Sequence, residues 1–246
     1  MSPVPMPVPA PWGAPAAGFH SHWPPANGLT TIHCPRNDSV FQVNASSHIN
    51  APVDIIWDVL RNTSGFPEWN TFTPSATITS QPLNKSLPAE EQDFLNLGTK
   101  FTYSVVLDSR APQNRTPSME QVDDVSTPVH QSNYVPSDLL KNDGSFFPDL
   151  SRVYRISWVT DPDSDIVKQG LCSERFNEII PLDDCNGRKK GCEYRTWELQ
   201  GGPPATYVQQ LYGTLLQEDF EIWARDLKGK AEKKAKTQRG RGHHGH

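Results

Sequence analysis

The sequence lacks the features that mark several common classes of protein. Its 246 residues contain no apolar run long enough to cross a bilayer, so we expect no membrane span. The four cysteines form no Cys-x-x-Cys pair, which argues against a zinc ribbon or a thioredoxin-like site. The sequence has no Walker loop, no dinucleotide-binding glycine motif, no nucleophile elbow and no spacing typical of metal ligands. The sequence therefore predicts neither a cofactor nor a metal site.

The cysteines are few and widely spaced along the chain. Cys34 and Cys172 stand alone, whereas Cys185 and Cys192 flank a predicted hairpin turn and could face each other. The first residues have neither a cationic start nor a continuous apolar segment, so they do not read as a secretory signal. We therefore expect reduced thiols and a cytoplasmic protein.

The two ends of the chain differ in composition from its middle. Nine of the 23 prolines precede residue 36, and this stretch has no hydrophobic periodicity, so residues 1–37 are predicted to be a disordered Pro-rich arm. From Lys228 onward there are seven Lys or Arg and one acidic residue, so residues 229–246 are predicted to be a basic disordered tail. The rest of the chain has 16 basic and 27 acidic residues, which argues against nucleic acid as the main partner.

Strand-like alternation fills the middle of the chain, which we predict to be one domain over residues 38–228. Phe41, Val43 and Ile49 share one face of the first strand, as expected for a half-buried strand. Further strands are predicted at residues 73–80, 98–108, 118–125, 150–160, 171–182 and 192–200. Residues 126–149 carry prolines and several aromatic residues, and we predict an insertion packed over one end of the sheet, either a lid or a surface excursion.

A long amphipathic helix is predicted from about Pro204 to Lys228. Its apolar residues fill about half of the helical wheel, as expected for a helix that packs on a sheet. Gly201 and Gly202 suit a sharp turn between the last strand and this helix. Asp219 falls within the apolar arc, where a carboxylate must be paired, protonated or beside water.

The most specific pattern spans residues 47–74, which read SHINAPVDIIWDVLRNTSGFPEWNTFTP. A strand ends before Pro52, a short amphipathic helix follows, and Gly65 and Pro67 break that helix ahead of the next strand. This order, together with the last strand that runs through glycines into a long helix, resembles the START-like helix-grip superfamily (SRPBCC). That superfamily includes polyketide cyclase/dehydrase, lipid-transport and plant pollen-allergen families, and the resemblance covers residues 39–227.

The resemblance implies an α+β fold. A curved antiparallel sheet would wrap around a long C-terminal helix, with two short helices after the first strand. It also implies that the domain binds an apolar small molecule, such as a lipid, isoprenoid or polyketide-like compound, in an internal cavity. The aromatic residues proposed as the cavity wall are Trp69, Phe72, Phe101, Tyr103, Tyr154, Trp158, Trp197 and Tyr212. The alternative for each of them is that it fills the core.

Two further hypotheses stay open at this stage. The first is a polyketide cyclase or dehydratase-type enzyme of secondary metabolism, in which Asp219 or Glu198 would act as acid or base. The structural alternative for Asp219 is a buried salt bridge to Arg175 or Arg195. The second hypothesis is an interaction protein that acts through its Pro-rich and basic ends. Alternation does not tell which face of the last two strands lines the cavity, and the sequence predicts no oligomeric state.

Overall fold

The computed structural model describes residues 23–82, 87–183 and 189–242. In this part of the chain, seven strands form one antiparallel sheet in the order β1-β7-β6-β5-β4-β3-β2. The strands are β1 (Ser39–Ile49), β2 (Ser75–Ser80), β3 (Lys100–Val105), β4 (Thr116–Ser126), β5 (Tyr154–Thr160), β6 (Cys172–Asp183) and β7 (Lys189–Gly201). The helices are α1 (Val53–Arg61), α2 (Ser137–Asn142), α3 (Asp165–Lys168) and α4 (Pro203–Gly242). Short 3₁₀ helices cover Thr63–Glu68 and Ala89–Glu91. The predicted α+β class is confirmed.

Two short helices follow the first strand, as the sequence predicted. Pro52 precedes α1, and five residues of this nine-residue helix are buried against the core. Asn62 ends α1, and its side chain accepts a hydrogen bond from the amide of Ser64 at the start of the first 3₁₀ helix. This sequence of a strand and two short helices brings Phe66 and Trp69 beneath α4, where their rings contact Trp223.

The long helix α4 lies across the concave face of the sheet. Leu216, Phe220, Trp223 and Leu227 are buried in the core that this face shares with α1 and β1. The turn from β7 into α4 uses Gly202 at a φ of 84°, a left-handed conformation that favours glycine. The last sheet strand therefore feeds directly into the helix that the sheet grips.

The predicted disordered tail is wrong for residues 229–242, which continue α4. Ala231 and Ala235 are buried, so the helix stays packed beyond Lys228. Lys228 donates to the carbonyl oxygen of His48 and to Glu232. Alanine and lysine favour helix, and two alanines four residues apart form a narrow apolar stripe that a reading of charge alone misses. Residues 243–246 lie outside the described residues.

The predicted boundary of the disordered arm is also wrong, because residues 23–37 pack on the convex face of the sheet. Leu29 and Cys34 are fully buried there. The indole nitrogen of Trp197 donates to the carbonyl oxygen of Thr30 at 2.9 Å. The high proline content of the first 37 residues hid this short apolar segment. The remainder of the predicted arm, residues 1–22, lies outside the described residues.

The insertion at residues 126–149 covers the same convex face. Phe146 packs against Phe176 and Trp197, with ring centroids 5.2 and 5.7 Å apart respectively. Val135 joins this second apolar cluster. The insertion therefore lies on the opposite side of the sheet from α4, and the alternative of a lid over a cavity beneath α4 is wrong. Its aromatic residues pack because β6 and β7 present apolar side chains on both faces.

Packing on the convex face also brings two distant cysteines together. Cys34 and Cys172 form a disulfide, with Cα atoms 5.6 Å apart and a sequence separation of 138. The expectation of reduced thiols is therefore wrong for this pair, because the sequence did not show that residues 23–37 lie beside the start of β6. Cys192 is buried near the carbonyl oxygen of Ala51. Cys185, its suggested neighbour, lies outside the described residues.

The helices differ from membrane-spanning segments in composition. Among the described residues, none of them is long and apolar enough to cross a bilayer.

Candidate functional site

A cavity of about 330 Å³ lies between the concave face of the sheet and the N-terminal half of α4. Strands β3 to β7 supply its floor, and Val208, Tyr212, Leu216 and Phe220 of α4 supply its roof. Ile166 of α3 and Leu171, just before β6, stand at its rim. The cavity therefore lies where the helix-grip resemblance places a ligand.

Half of the aromatic residues predicted as the cavity wall line this cavity. These are Phe72, Tyr103, Trp158 and Tyr212. The ring of Tyr103 contacts the rings of Phe101 and Trp158, with centroid distances of 4.8 and 6.1 Å, and those two rings also contact each other at 6.0 Å. The wall on this side is thus a cluster of rings in edge contact, which gives a rigid apolar surface.

The other four predicted wall residues lie elsewhere. Phe101 is buried in the core behind Tyr103, and Tyr154 packs edge-on against Trp57. Trp69 lines a separate groove of about 420 Å³ between α1, the first 3₁₀ helix and the C-terminal half of α4. Trp197 is on the convex face, stacked on Phe176 at 5.1 Å. These four residues are therefore not part of the cavity wall.

Strand register explains which charged residues reach the cavity. Arg175 of β6 pairs directly with Glu198 of β7, and directly paired residues share a face. Arg175 and Glu198 therefore both face the cavity, although one residue number is odd and the other is even. Because side chains alternate along each strand, Glu174 and Arg195 face away from it. When only odd and even positions are compared, these two glutamates form one set and the two arginines form the other. The strand register shows that each set is divided between the two faces of the sheet.

Glu198, a predicted acid or base, does line the cavity. Its Oε1 accepts hydrogen bonds from the hydroxyl of Ser173 at 3.0 Å and from the side-chain amide of Gln200 at 2.6 Å. The side chain is half-buried, and its bonds hold it against the sheet near the rim. The carboxylate is thus available to a bound molecule.

Glu120 of β4 is a cavity residue that sequence reasoning missed. Its side chain is buried, and the hydroxyl of Ser118 donates to it at 2.6 Å. Burial, and next the negative charge of Glu198, raise the pKa of Glu120 to about 8, so its carboxyl is mostly protonated at neutral pH. The available signal was its even-numbered position, which places it on the same face as Val122 of the same strand.

Asp219 is buried, as the helical wheel predicted, but it does not line the cavity. Its Oδ2 has no hydrogen-bond partner among the described residues. Burial raises the pKa of Asp219 to about 7, with further contributions from Glu218 and Asp108. The structure therefore places this predicted acid beside the site rather than in it.

The suggested salt bridges of Asp219 are not formed. The guanidinium of Arg175 donates to Thr196, and that of Arg195 donates to Glu193 on the other face of the sheet. Within the described ranges, neither arginine lies within 4.0 Å of the Asp219 carboxylate. That structural alternative is therefore wrong.

The site also offers no cluster of metal ligands. In the described parts of the chain, no three His, Cys, Asp or Glu side chains stand close enough together to hold a metal ion.

No protein-family model matches the sequence. One curated relative is similar along most of the chain: "Oxopyrrolidines biosynthesis cluster protein O" of Penicillium oxalicum. It is 26% identical over 204 residues, which cover 81% of this chain and 90% of the relative.

Solved structures share the fold at low sequence identity. A hypothetical protein of Helicobacter pylori superposes with a TM-score of 0.52 at 12% identity, over 83% of this chain and 96% of its own. A START superfamily protein of Mycobacterium smegmatis has a TM-score of 0.44 at 13% identity, over 78% of this chain and 97% of its own, a likeness too distant to add to the assignment. The sheet order, the two short helices after β1 and the gripped helix α4 are those of the resemblance drawn from the sequence. The chain has the START-like helix-grip fold.

Proposed function

We propose that this protein binds an apolar small molecule, such as a lipid, isoprenoid or polyketide-like compound, in the cavity beneath α4. The observation that carries the proposal is the cavity itself. Its volume of about 330 Å³ fits a compact ligand, and apolar side chains form the larger part of its walls, beside polar groups that include Arg175, Glu120 and Glu198. A closed core would instead have filled this space with side chains, because protein interiors are densely packed.

The Penicillium relative supports a small molecule as the ligand. Its name ties it to a gene cluster for oxopyrrolidine biosynthesis. Oxopyrrolidines are small organic compounds, and the similarity extends along most of both chains.

A neutral fluorescent dye tests the proposal directly. We expect N-phenyl-1-naphthylamine to bind with saturation and a strong rise in fluorescence, because binding moves the dye from water onto apolar walls. The variant Val208→Trp places a large ring in the roof and is expected to weaken dye binding by about tenfold or more, since 1.4 kcal/mol of lost binding free energy already gives tenfold.

The matched control is Val129→Trp. Val129 is 80% exposed in the insertion and lies away from the cavity, so dye affinity should stay within twofold of the unmodified protein. Equal dye binding by the Val208→Trp variant, with an unchanged fold by circular dichroism, would show that the dye binds elsewhere. The proposal would then fail.

A second candidate function is a cyclase or dehydratase-type enzyme. The observation in its favour is that two carboxyl side chains, Glu120 and Glu198, both line the cavity. A carboxyl that stays mostly protonated near pH 7, as that of Glu120 does, can act as a general acid, and Glu198 lies in the same cavity. Glu198 and Glu120 are therefore better placed for this chemistry than Asp219. The enzyme would change a bound molecule that a carrier would release intact.

A further inference from the structure

We propose that the ligand of this cavity carries an oxyanion, either a carboxylate or an enolate, and that Arg175 and Tyr103 bind that group. This inference rests on the proposed function, because it defines one end of the molecule that the cavity would hold. The ligand is thus an organic acid with an apolar body rather than a neutral hydrocarbon-like compound.

Arg175 is a buried cation that lines the cavity. Its side chain is only 3% exposed, and its guanidinium lies 4.1 Å from the ring centroids of both Phe220 and Trp223. Across the described ranges, no carboxylate lies within 4.0 Å of it. A buried charge is unfavourable unless it is paired, and contacts with aromatic faces offset only part of that cost. The cavity is the place from which a counter-charge can reach this group.

One nitrogen of the Arg175 guanidinium, Nη2, has hydrogens that it does not use. Its Nε donates to the hydroxyl of Thr196 at 3.0 Å, which fixes the plane of the group. Its Nη2 is buried and has no acceptor among the described protein atoms. Arginine presents its N–H groups in a planar fork that matches two oxygens of one delocalised anion. A carboxylate or the enolate of a 1,3-dicarbonyl compound has that geometry.

The hydroxyl of Tyr103 is a second hydrogen-bond donor at the cavity. Tyr103 lines the same cavity and is 4% exposed, yet its oxygen has no hydrogen-bond partner in the described protein. Burial raises the pKa of Tyr103 well above its usual value, so the hydroxyl keeps its proton and can donate it to an acceptor. The charge of Arg175 acts against that shift, which shows that the two groups are electrostatic neighbours.

The acids of the cavity leave this pair of donors available. Glu198 is already bound by Ser173 and Gln200. Glu120 accepts from Ser118, and burial keeps its carboxyl mostly neutral at pH 7. Among the described residues that line the cavity, Arg175 is the one permanent cation, and no carboxylate there lies within 4.0 Å of it.

Matched probes that share one ring system test the inference. We expect 2-naphthoate to displace the neutral dye at least tenfold more strongly than 2-naphthamide, because both have the same ring and only the first has a negative charge. The pair 4-hydroxycoumarin, whose acidic enol is ionised at neutral pH, and coumarin tests an enolate in the same way. Tenfold preference in the first pair identifies a carboxylate as the bound group, and in the second pair an enolate.

Two conservative variants separate binding from folding. Tyr103→Phe removes only a hydroxyl without a protein partner, and Arg175→Lys keeps the charge but removes the planar fork. Each should reduce the affinity for the preferred anion about fivefold or more while changing the affinity for its neutral partner less than twofold. Tyr207→Phe, at a position 69% exposed on α4 outside the cavity lining, is the control and should change neither.

The outcomes distinguish this inference from the proposed function. Normal binding of the dye with equal affinity for anionic and neutral probes would overturn the oxyanion site while the cavity proposal stands. Unchanged anion affinity in both Tyr103→Phe and Arg175→Lys would overturn it as well. Failure of the unmodified protein to bind the dye and all four probes would overturn both proposals together.

Discussion

Replacing Glu178 with glutamine is expected to lower the free energy of unfolding by about 3–5 kcal/mol, the usual cost of breaking a buried ion pair. Glu178 and Arg155 are 0% and 1% exposed, and their closest atoms are 2.6 Å apart. The carboxylate also accepts the amide of Phe147, and the Arg155 guanidinium donates to the Phe147 carbonyl oxygen. Without the negative charge, the guanidinium stays buried and uncompensated. Urea denaturation followed by circular dichroism measures the loss.

Two controls accompany this experiment. Asp165→Asn breaks the exposed pair with Lys168, whose side chains are 90% and 64% exposed, and should cost less than about 1 kcal/mol. The double variant Arg155→Leu with Glu178→Leu removes both charges and should recover much of the lost stability. If Glu178→Gln unfolds at the same urea concentration as the unmodified protein, the pair is not buried as described. The insertion would then not be an integral layer.

Replacing Asp219 with asparagine is expected to raise the free energy of unfolding, in contrast to the decrease expected for Glu178→Gln. The pKa of Asp219 is about 7 in the folded state and 3.8 in an ordinary environment, so the folded protein binds the proton more tightly than the unfolded chain. Its carboxylate therefore costs stability that grows as the pH rises from about 4 to 7 and then stays constant. At about 1.4 kcal/mol per pKa unit, the full cost is on the order of 4 kcal/mol.

The pH dependence is the sharper readout for Asp219. The stability gained by Asp219→Asn should be larger at pH 8 than at pH 5 by on the order of 2 kcal/mol, as measured by urea denaturation at both values. Glu221→Gln, at an exposed position on the same helix, is the control and should show little gain at either pH. Parallel stability profiles of the unmodified protein and Asp219→Asn would mean that the carboxylate stays hydrated and ionised. The burial of Asp219 described above would then be incorrect.

The concave half of the fold could be predicted from the sequence, and the convex layer could not. Alternation in β1 and the break at Pro52 are local signals, so they are visible without any long-range information. The convex layer depends on contacts such as Thr30 with Ser145 and Trp197, which lie more than 100 residues apart in sequence. No periodicity marks such contacts. Residues 23–37 were predicted to belong to a disordered Pro-rich arm, but they pack on the convex face of the sheet.

The sequence also predicted only part of the candidate site. Trp158 and Tyr103 were identified correctly as wall residues, because they lie on strands with clear alternation. Trp197 was not, because β7 is apolar on both faces and the sequence does not tell which face α4 covers. The helical wheel placed Asp219 correctly in the buried arc. A wheel says nothing about what lies opposite a buried residue, so the absent ion pair was beyond its reach.

Strand β6 connects the convex face of the sheet with the cavity on its concave face. Cys172 and Glu174 are fastened to the convex layer, the first by the disulfide to Cys34 and the second by the amides of Ile32 and His33 at 2.7 and 2.6 Å. Arg175, the next residue, points the other way into the cavity. The segment 23–37 thus acts as an external brace that preorganises the polar end of the cavity. A ligand that binds there meets a group already held in place, so little conformational entropy is lost on binding.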